Sequence, residues 1–200
     1  MKFKLTSLLI CLIVPIIISC NDEDDSIVIK APQCDSSNTT FNQLYNNLVA
    51  ISPNQDITIM DLETHSYTFE VLTNKTICSI GYQSLPTFNT TPYVMEIYDN
   101  TTSTVLYSGS HTFSSTATSY VSITPIQVVV GHSYTVKRIQ TNWGSNISNT
   151  IGRLVEDSTG ANLIFPATLG DLKITGSSFY SSGDPTDNWA IPYIDIVFQN

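Results

Sequence analysis

Apolar and polar residues alternate one by one along much of this chain. In SYTFEVLT (66–73) the alternation puts Tyr67, Phe69 and Val71 on one side. PYVMEIYD (92–99), HSYTVKRIQTNW (132–143) and AIPYIDIVFQ (190–199) read the same way. Successive side chains on a strand point to opposite faces, so each stretch is a strand with one face to bury. Such strands must pack against another layer. TICSIGYQS (76–84) and DLKITGSSFY (171–180) add further strands, and 151–156 and 162–166 add weaker ones. PYVMEIYD leads through Asn100 to TVLYSG (104–109) and predicts a hairpin. Residues 118–125 and 126–131 read as two strands divided by Pro125, which cannot donate to a central ladder. Only FNQLYNNLVA (41–50), with Phe41, Leu44 and Leu48, has helical spacing. No segment repeats at a solenoid period, and no Gly-rich phosphate loop is present. The expected fold is all-β. It is a two-sheet antiparallel β-sandwich, jelly-roll or immunoglobulin-like, over residues 41–200 with one short N-terminal helix.

The first residues obey different rules. Lys2 and Lys4 precede an apolar run from Leu8 to Ile18. It is shorter than the ~20 residues needed to cross a hydrocarbon core. A basic start and a short apolar core form a secretory signal. Ile17-Ile18-Ser19-Cys20 closes the run and resembles the lipobox of bacterial lipoproteins. The resemblance implies removal of residues 1–19, attachment of diacylglycerol and a further acyl chain such as palmitate to Cys20, and a membrane partner. One chain anchors marginally and two or more hold firmly. Asn21-Asp22-Glu23-Asp24-Asp25 follows as a solvated tether, with 20–40 as linker. An acidic run directly after the cysteine also resembles the surface-export signal of Bacteroidota lipoproteins. It implies the exterior face of the outer membrane, with a periplasm-facing lipoprotein as the alternative.

Composition narrows the partners. The formal charge is −9, and loss of Lys2 and Lys4 with residues 1–19 makes it −11. Without basic clusters, nucleic acid is excluded, because phosphate contacts need Lys and Arg. Cys34 and Cys78, the remaining cysteines after Cys20, are candidates for one disulfide in an oxidising compartment. Free buried thiols are the alternative.

Catalytic signatures are missing. His65, His111 and His132 have no metal-ligand spacing, and no GxSxG elbow occurs. A hydrolase would need two opposed carboxylates, which sequence cannot select. The loop SSGDPTDNW (181–189) offers Asp184, Asp187 and Asn188 as oxygen ligands of the kind calcium prefers. It lacks calcium-loop spacing and reads as a turn opened by Asp-Pro, so no cofactor or metal is expected. Trp143, beside Asn142, and Trp189, after Asp187 and Asn188, lie at strand–loop junctions. A flat ring flanked by amides and carboxylates suits a sugar, although a tryptophan can equally cap the core. Asp25-Ser26-Ile27 and Asp157-Ser158-Thr159 resemble bacterial O-glycosylation sites, with Ser26 and Ser158 as acceptors.

SIGYQS, PYVMEIYD, VLYSGSHTF, YVSITPIQVVVGHSYTVKRI and IPYIDIVF, in that order, resemble a β-sandwich domain of unknown function found in bacterial secreted and surface proteins. The resemblance spans about residues 64–199 and implies no catalytic residues. The functional expectation is a lipid-anchored envelope protein that binds a glycan or a surface protein without catalysis. A structural or adhesion component is the alternative.

Overall fold

The structure is a computed structural model that describes residues 33–60, 62–84, 90–145 and 151–200. The expected signal, Cys20, the acidic run and Ser26 lie outside the described residues. The domain formed from Pro32 onward starts with a helix, α1 (Thr40–Val49), and β1 (Asn54–Met60). β2 (Thr64–Val71), β3 (Lys75–Tyr82), β4 (Tyr93–Asp99) and β5 (Thr104–His111) follow. Then come β6 (Ser119–Val128), β7 (Tyr134–Gln140), β8 (Ile151–Asp157) and β9 (Ala167–Leu169). The chain closes with β10 (Leu172–Tyr180), β11 (Thr186–Asp187), β12 (Ala190–Pro192) and β13 (Asp195–Phe198).

All pairings are antiparallel, and the sheets do not close into a barrel. The fold is an all-β sandwich. Its large sheet runs β11-β10-β2-β7-β4-β5, with β9 added on β10. Opposite lies β13-β3-β6, and a third small sheet is β1-β8-β12. Alternation dictates the core face of the large sheet. Tyr67 and Phe69 of β2, Val136 of β7 and Ile97 of β4 are buried. They join Ile77 and Ile80 of β3 and Ile126 of β6 in one cluster. Tyr82 of β3 meets Tyr93 of β4 edge to face at 5.2 Å across the sandwich. The outer face of the large sheet carries Glu96–Lys137 and Glu70–Lys173 pairs instead.

Several segments differ from the pattern-based expectation. Residues 118–131 do not make two strands divided at Pro125; β6 runs through the proline. It can do so because β6 is an edge strand and its register against β3 slips between Ile77 and Ser79, opposite 123–125. The stretch 190–199, which reads as one strand, is two. β12 pairs with β8 and β13 with β3, and the chain changes sheet at Tyr193-Ile194. Residues 162–166 are not a strand, and the short β9 begins one residue later. β1 carries Ile57 in a polar setting and has no clear pattern of its own, yet pairs along its length with β8. The predicted β4–β5 hairpin is present, with Ser103 in the left-handed region of its turn.

Cys34 and Cys78 form a disulfide with Cα atoms 6.0 Å apart. It ties the segment before α1 to β3. Cys34 also bridges to Gln199, and the Asn200 N–H donates to the Gln33 carbonyl.

Candidate functional site

Helix α1 is held in place by one buried side and leaves its other side to shape a cleft. Thr39 is its N-cap, accepting from the Asn42 N–H at 2.9 Å. The Thr39 hydroxyl donates in turn to the Asp195 carboxylate at 2.8 Å, which also accepts from the Tyr120 hydroxyl at 2.8 Å. Asp195 is fully buried. Burial pushes its carboxyl up to about 6, although the hydrogen bonds from Thr39 and Tyr120 pull the other way. Phe41 stacks on Tyr67 at 5.2 Å and meets Tyr193 edge-on at 5.5 Å. The Arg153 guanidinium lies over the Tyr193 ring at 4.4 Å and the Tyr45 ring at 5.2 Å, and it pairs with Asp56 at 2.6 Å. The Tyr45 hydroxyl donates to the same Asp56. Burial, followed by the Asp56 charge, drives the Tyr45 phenol well above its ordinary range, so it stays protonated as a donor.

The last turn of α1, the turn 51–54 and the segment 162–168 enclose a cleft of about 430 Å³. Its floor is Leu44, Leu163, Ala167 and Ile191, all buried. Its walls include Leu48, Ile51, Ile164 and two prolines, Pro53 and Pro166, each preceded by a cis peptide bond. Ile164 is 89% exposed and Ile51 57% exposed, both large for aliphatic side chains beside a cavity. Asn47, Asn54, Asn162 and Thr168 supply a neutral polar rim. Asn54 is partly committed, since its side-chain amide donates to the Leu48 carbonyl at the end of α1. Among the described residues, Asp157 is the one charged residue lining the cleft. Its carboxylate accepts from the N–H and hydroxyl of Thr159 in the turn that follows. Those bonds hold it below the usual carboxylate range. Among the described residues the cleft lining has no aromatic ring. Its chemistry suits uncharged branched aliphatic groups beside amide-bonding partners.

The residues singled out from sequence as ligand contacts lie elsewhere. The tip 181–185 joins β10 to β11, and β7 leads into the segment 141–145, both at the same end of the large sheet as the start of β2. Trp143 opens a short 3₁₀ turn and is half-buried, and Asn142 before it adopts a left-handed conformation. Trp189 is half-buried too. Its ring meets Phe179 edge-on at 5.6 Å, and with Leu62 and Thr186 it lines a second, shallower hollow. Asn188 is a structural residue. At φ +61° its side-chain oxygen accepts from the Ser177 N–H and sits 3.0 Å from where a Cβ on Gly176 would be. Asp184 and Asp187 are exposed at the lip. Among the described residues no three His, Cys, Asp or Glu side chains gather around a common point fit for a metal ion. Ser158 is exposed in the Asp157–Gly160 turn, its N–H donating to the Pro53 carbonyl.

The histidines are accounted for by local contacts. His65 is buried, its Nε2 accepting from the Leu62 N–H, with its ring against Phe179. His132 faces Asp99 at 2.8 Å. His111 bonds the Tyr107 hydroxyl. Arg138, fully buried, donates to the Leu62 and Glu63 carbonyls and lies over the rings of Tyr82 and Tyr93.

Sequence reasoning missed the cleft, whose residues come from four separated stretches. One local signal existed. LIFP (163–166) is an unbroken apolar run ending at a proline, too short to bury every member. Compared with known proteins, the chain matches no family model and no curated protein.

Proposed function

We propose that this is a non-catalytic binding module of the cell envelope, carried on a lipid at Cys20 and facing the exterior, whose cleft beside α1 receives aliphatic side chains of a partner protein. The observation that carries the reading is the cleft lining. Among the described residues it is mainly aliphatic with a neutral polar rim, free of aromatic rings, and uncharged apart from an Asp157 already engaged by Thr159. A sugar would want an aromatic platform, and a charged ligand would want a counter-charge. Uncharged aliphatic groups flanked by backbone amides fit what remains. Ile164 and Ile51, exposed at the mouth, would be covered by the same partner.

A second reading keeps the glycan. The half-buried Trp189, edge-on to Phe179 with Asp184 and Asp187 nearby, supports a sugar contact at the other hollow.

One titration series separates the two. Methyl-labelled protein is titrated with an end-blocked leucine–isoleucine peptide, and its tryptophan fluorescence is followed with a polysaccharide panel under acrylamide quenching. Methyl shifts at Leu48, Ile51 and Ile164 with peptide, removed by Ile164→Asp, support the cleft. Protection of tryptophan by a polysaccharide, removed by Trp189→Ala with silent cleft methyls, replaces that reading with the glycan one. Silence in both removes both.

A further inference from the structure

The exposed large aliphatic side chains fall into two groups. Among the described residues, Ile51 and Ile164 border the cleft, while Leu72, Val105 and Val130 lie toward the end of the sandwich opposite Trp143 and Trp189. Leu72 and Val130 are brought to the same tip. Leu72 follows β2 and opens the turn to β3, its N–H donating to the Asp171 carbonyl. β6 ends with Val128 opposite Lys75, and the Val130 N–H just beyond donates to the Asn74 side chain of that turn at 3.0 Å. Leu72 is 49% exposed and Val130 54%. Thr73, Asn74 and Gly131 beside them are exposed and uncharged.

The chain enters the domain at this same end. The Gln199 N–H donates to the Thr76 carbonyl near the start of β3. Cys34 bridges to Gln199, and the Gln33 carbonyl accepts from the Asn200 N–H. Gln33 therefore lies toward the turn 72–74, and Asp35 lies away from it. A chain from Cys20 to Gln33 reaches at most about 45 Å even when fully extended. β3 has eight residues and is about 25 Å long. Turning the tryptophan end toward a membrane that holds Cys20 would spend more than half of that reach in passing back along β3. The entry end needs none of it. Charge separates the ends as well. Near the entry, Lys75 pairs with Asp171 at 2.7 Å and Asp99 with His132 at 2.8 Å. The tryptophan end carries Asp184 and Asp187 as exposed carboxylates. An interface between lipid and water accepts aliphatic side chains and neutral turns more readily than exposed carboxylates.

We infer that Leu72 and Val130 rest in the surface of the bilayer that holds the Cys20 acyl chains, so that the domain stands on its entry end with the tryptophan end outward. The inference rests on the lipid anchor proposed above. An acylated cysteine fixes where the chain is held but not how the domain is turned. A second contact, made by the domain itself, sets the orientation. Two side chains would bind a bilayer weakly from solution. Tethering makes the contact intramolecular and raises its effective concentration, so a weak contact is enough. Neither residue lines the cleft, which stays open to its partner.

The lipidated chain in phosphatidylcholine vesicles, with and without bromine on the acyl chains, tests this. Bromine quenches tryptophan only on close approach, and Trp143 and Trp189 at the far end are an internal reference. The parent should keep its emission on brominated vesicles. Val130→Trp should add an emission that is shifted to the blue and mostly lost on brominated vesicles. Adding Leu72→Asp to Val130→Trp should restore it. Both sites are exposed, so circular dichroism and thermal midpoint should match the parent. Quenching of the parent tryptophans, or an unquenched Val130→Trp on vesicles with which the chain floats, overturns the inference and leaves the anchor standing. Quenching that persists with Leu72→Asp overturns it too, because the added tryptophan then inserts by its own affinity. A chain that does not float with vesicles, and whose Cys20 carries no acyl mass, refutes the anchor and the inference together.

Discussion

Asp195 makes a pH dependence that can be worked from the structure. Its carboxyl is fully buried and bonded to Thr39 and Tyr120. In the unfolded chain it titrates near 3.8, and in the folded one near 6. The folded state therefore holds the proton more tightly. Below about pH 4 both states are protonated, and the group gives no penalty. Between about pH 4 and pH 6 the unfolded chain has released the proton and the folded one has not, so stability falls as pH rises. Above that window the loss is complete. A shift of about two units at about 1.4 kcal/mol each comes to roughly 3 kcal/mol. Asp195→Asn removes the titration and leaves an oxygen and an amide to meet the two hydroxyls. The assay is urea unfolding of both proteins from about pH 4 to pH 7.5. Subtracting the variant cancels every other titrating group. The stability of the parent relative to the variant should fall by roughly 3 kcal/mol as pH rises. At typical denaturant sensitivities that is a relative midpoint change of about 1–3 M urea. A difference that stays flat, or that grows with pH, would refute the burial argument.

Other outcomes follow from the same contacts. Replacing Cys34 and Cys78 by serine should cost about 4 kcal/mol in the chain-entropy model for a loop of 44 residues' separation, read as a lower thermal midpoint. Gly81→Ala would place a Cβ 2.4 Å from the Tyr120 ring, displacing the ring from Asp195. A loss of about 1–3 kcal/mol is expected by denaturation. Thr39→Ala removes both the α1 cap and a donor to Asp195, and should cost about 1–2 kcal/mol in the same measurement. Ile164→Ser should alter stability by less than about 0.5 kcal/mol while abolishing peptide-induced methyl shifts.

What could be read from the sequence was local. The β4–β5 hairpin announced itself because a period-two pattern meets a turn at Asn100 and resumes. Helix α1 was legible from Phe41, Leu44 and Leu48, and the first two of these are buried. Failures came where tertiary pairing overrides pattern. Pro125 reads as a break until β6 is known to be an edge. Residues 190–199 read as one strand because alternation cannot show a change of sheet at Tyr193-Ile194. The cleft was invisible for the same reason, since Leu44, Ile51, Ile164 and Ile191 become neighbours only when α1 is clamped by Asp195 and Arg153. Trp143 and Trp189 stood out by residue type, yet Asn188 beside Trp189 proved to be a backbone brace.

The Cys34–Cys78 bond also sets how a pull on this domain would be carried. Tension applied N-terminal to Cys34 passes covalently into β3, the middle strand of its sheet. It bypasses α1, β1 and β2, which lie within the closed loop. The helix that shapes the cleft therefore bears none of the load along its own backbone. A partner seated there could be dragged on while the cleft keeps its form, and reduction of one bond would transfer the strain directly to the Thr39 cap.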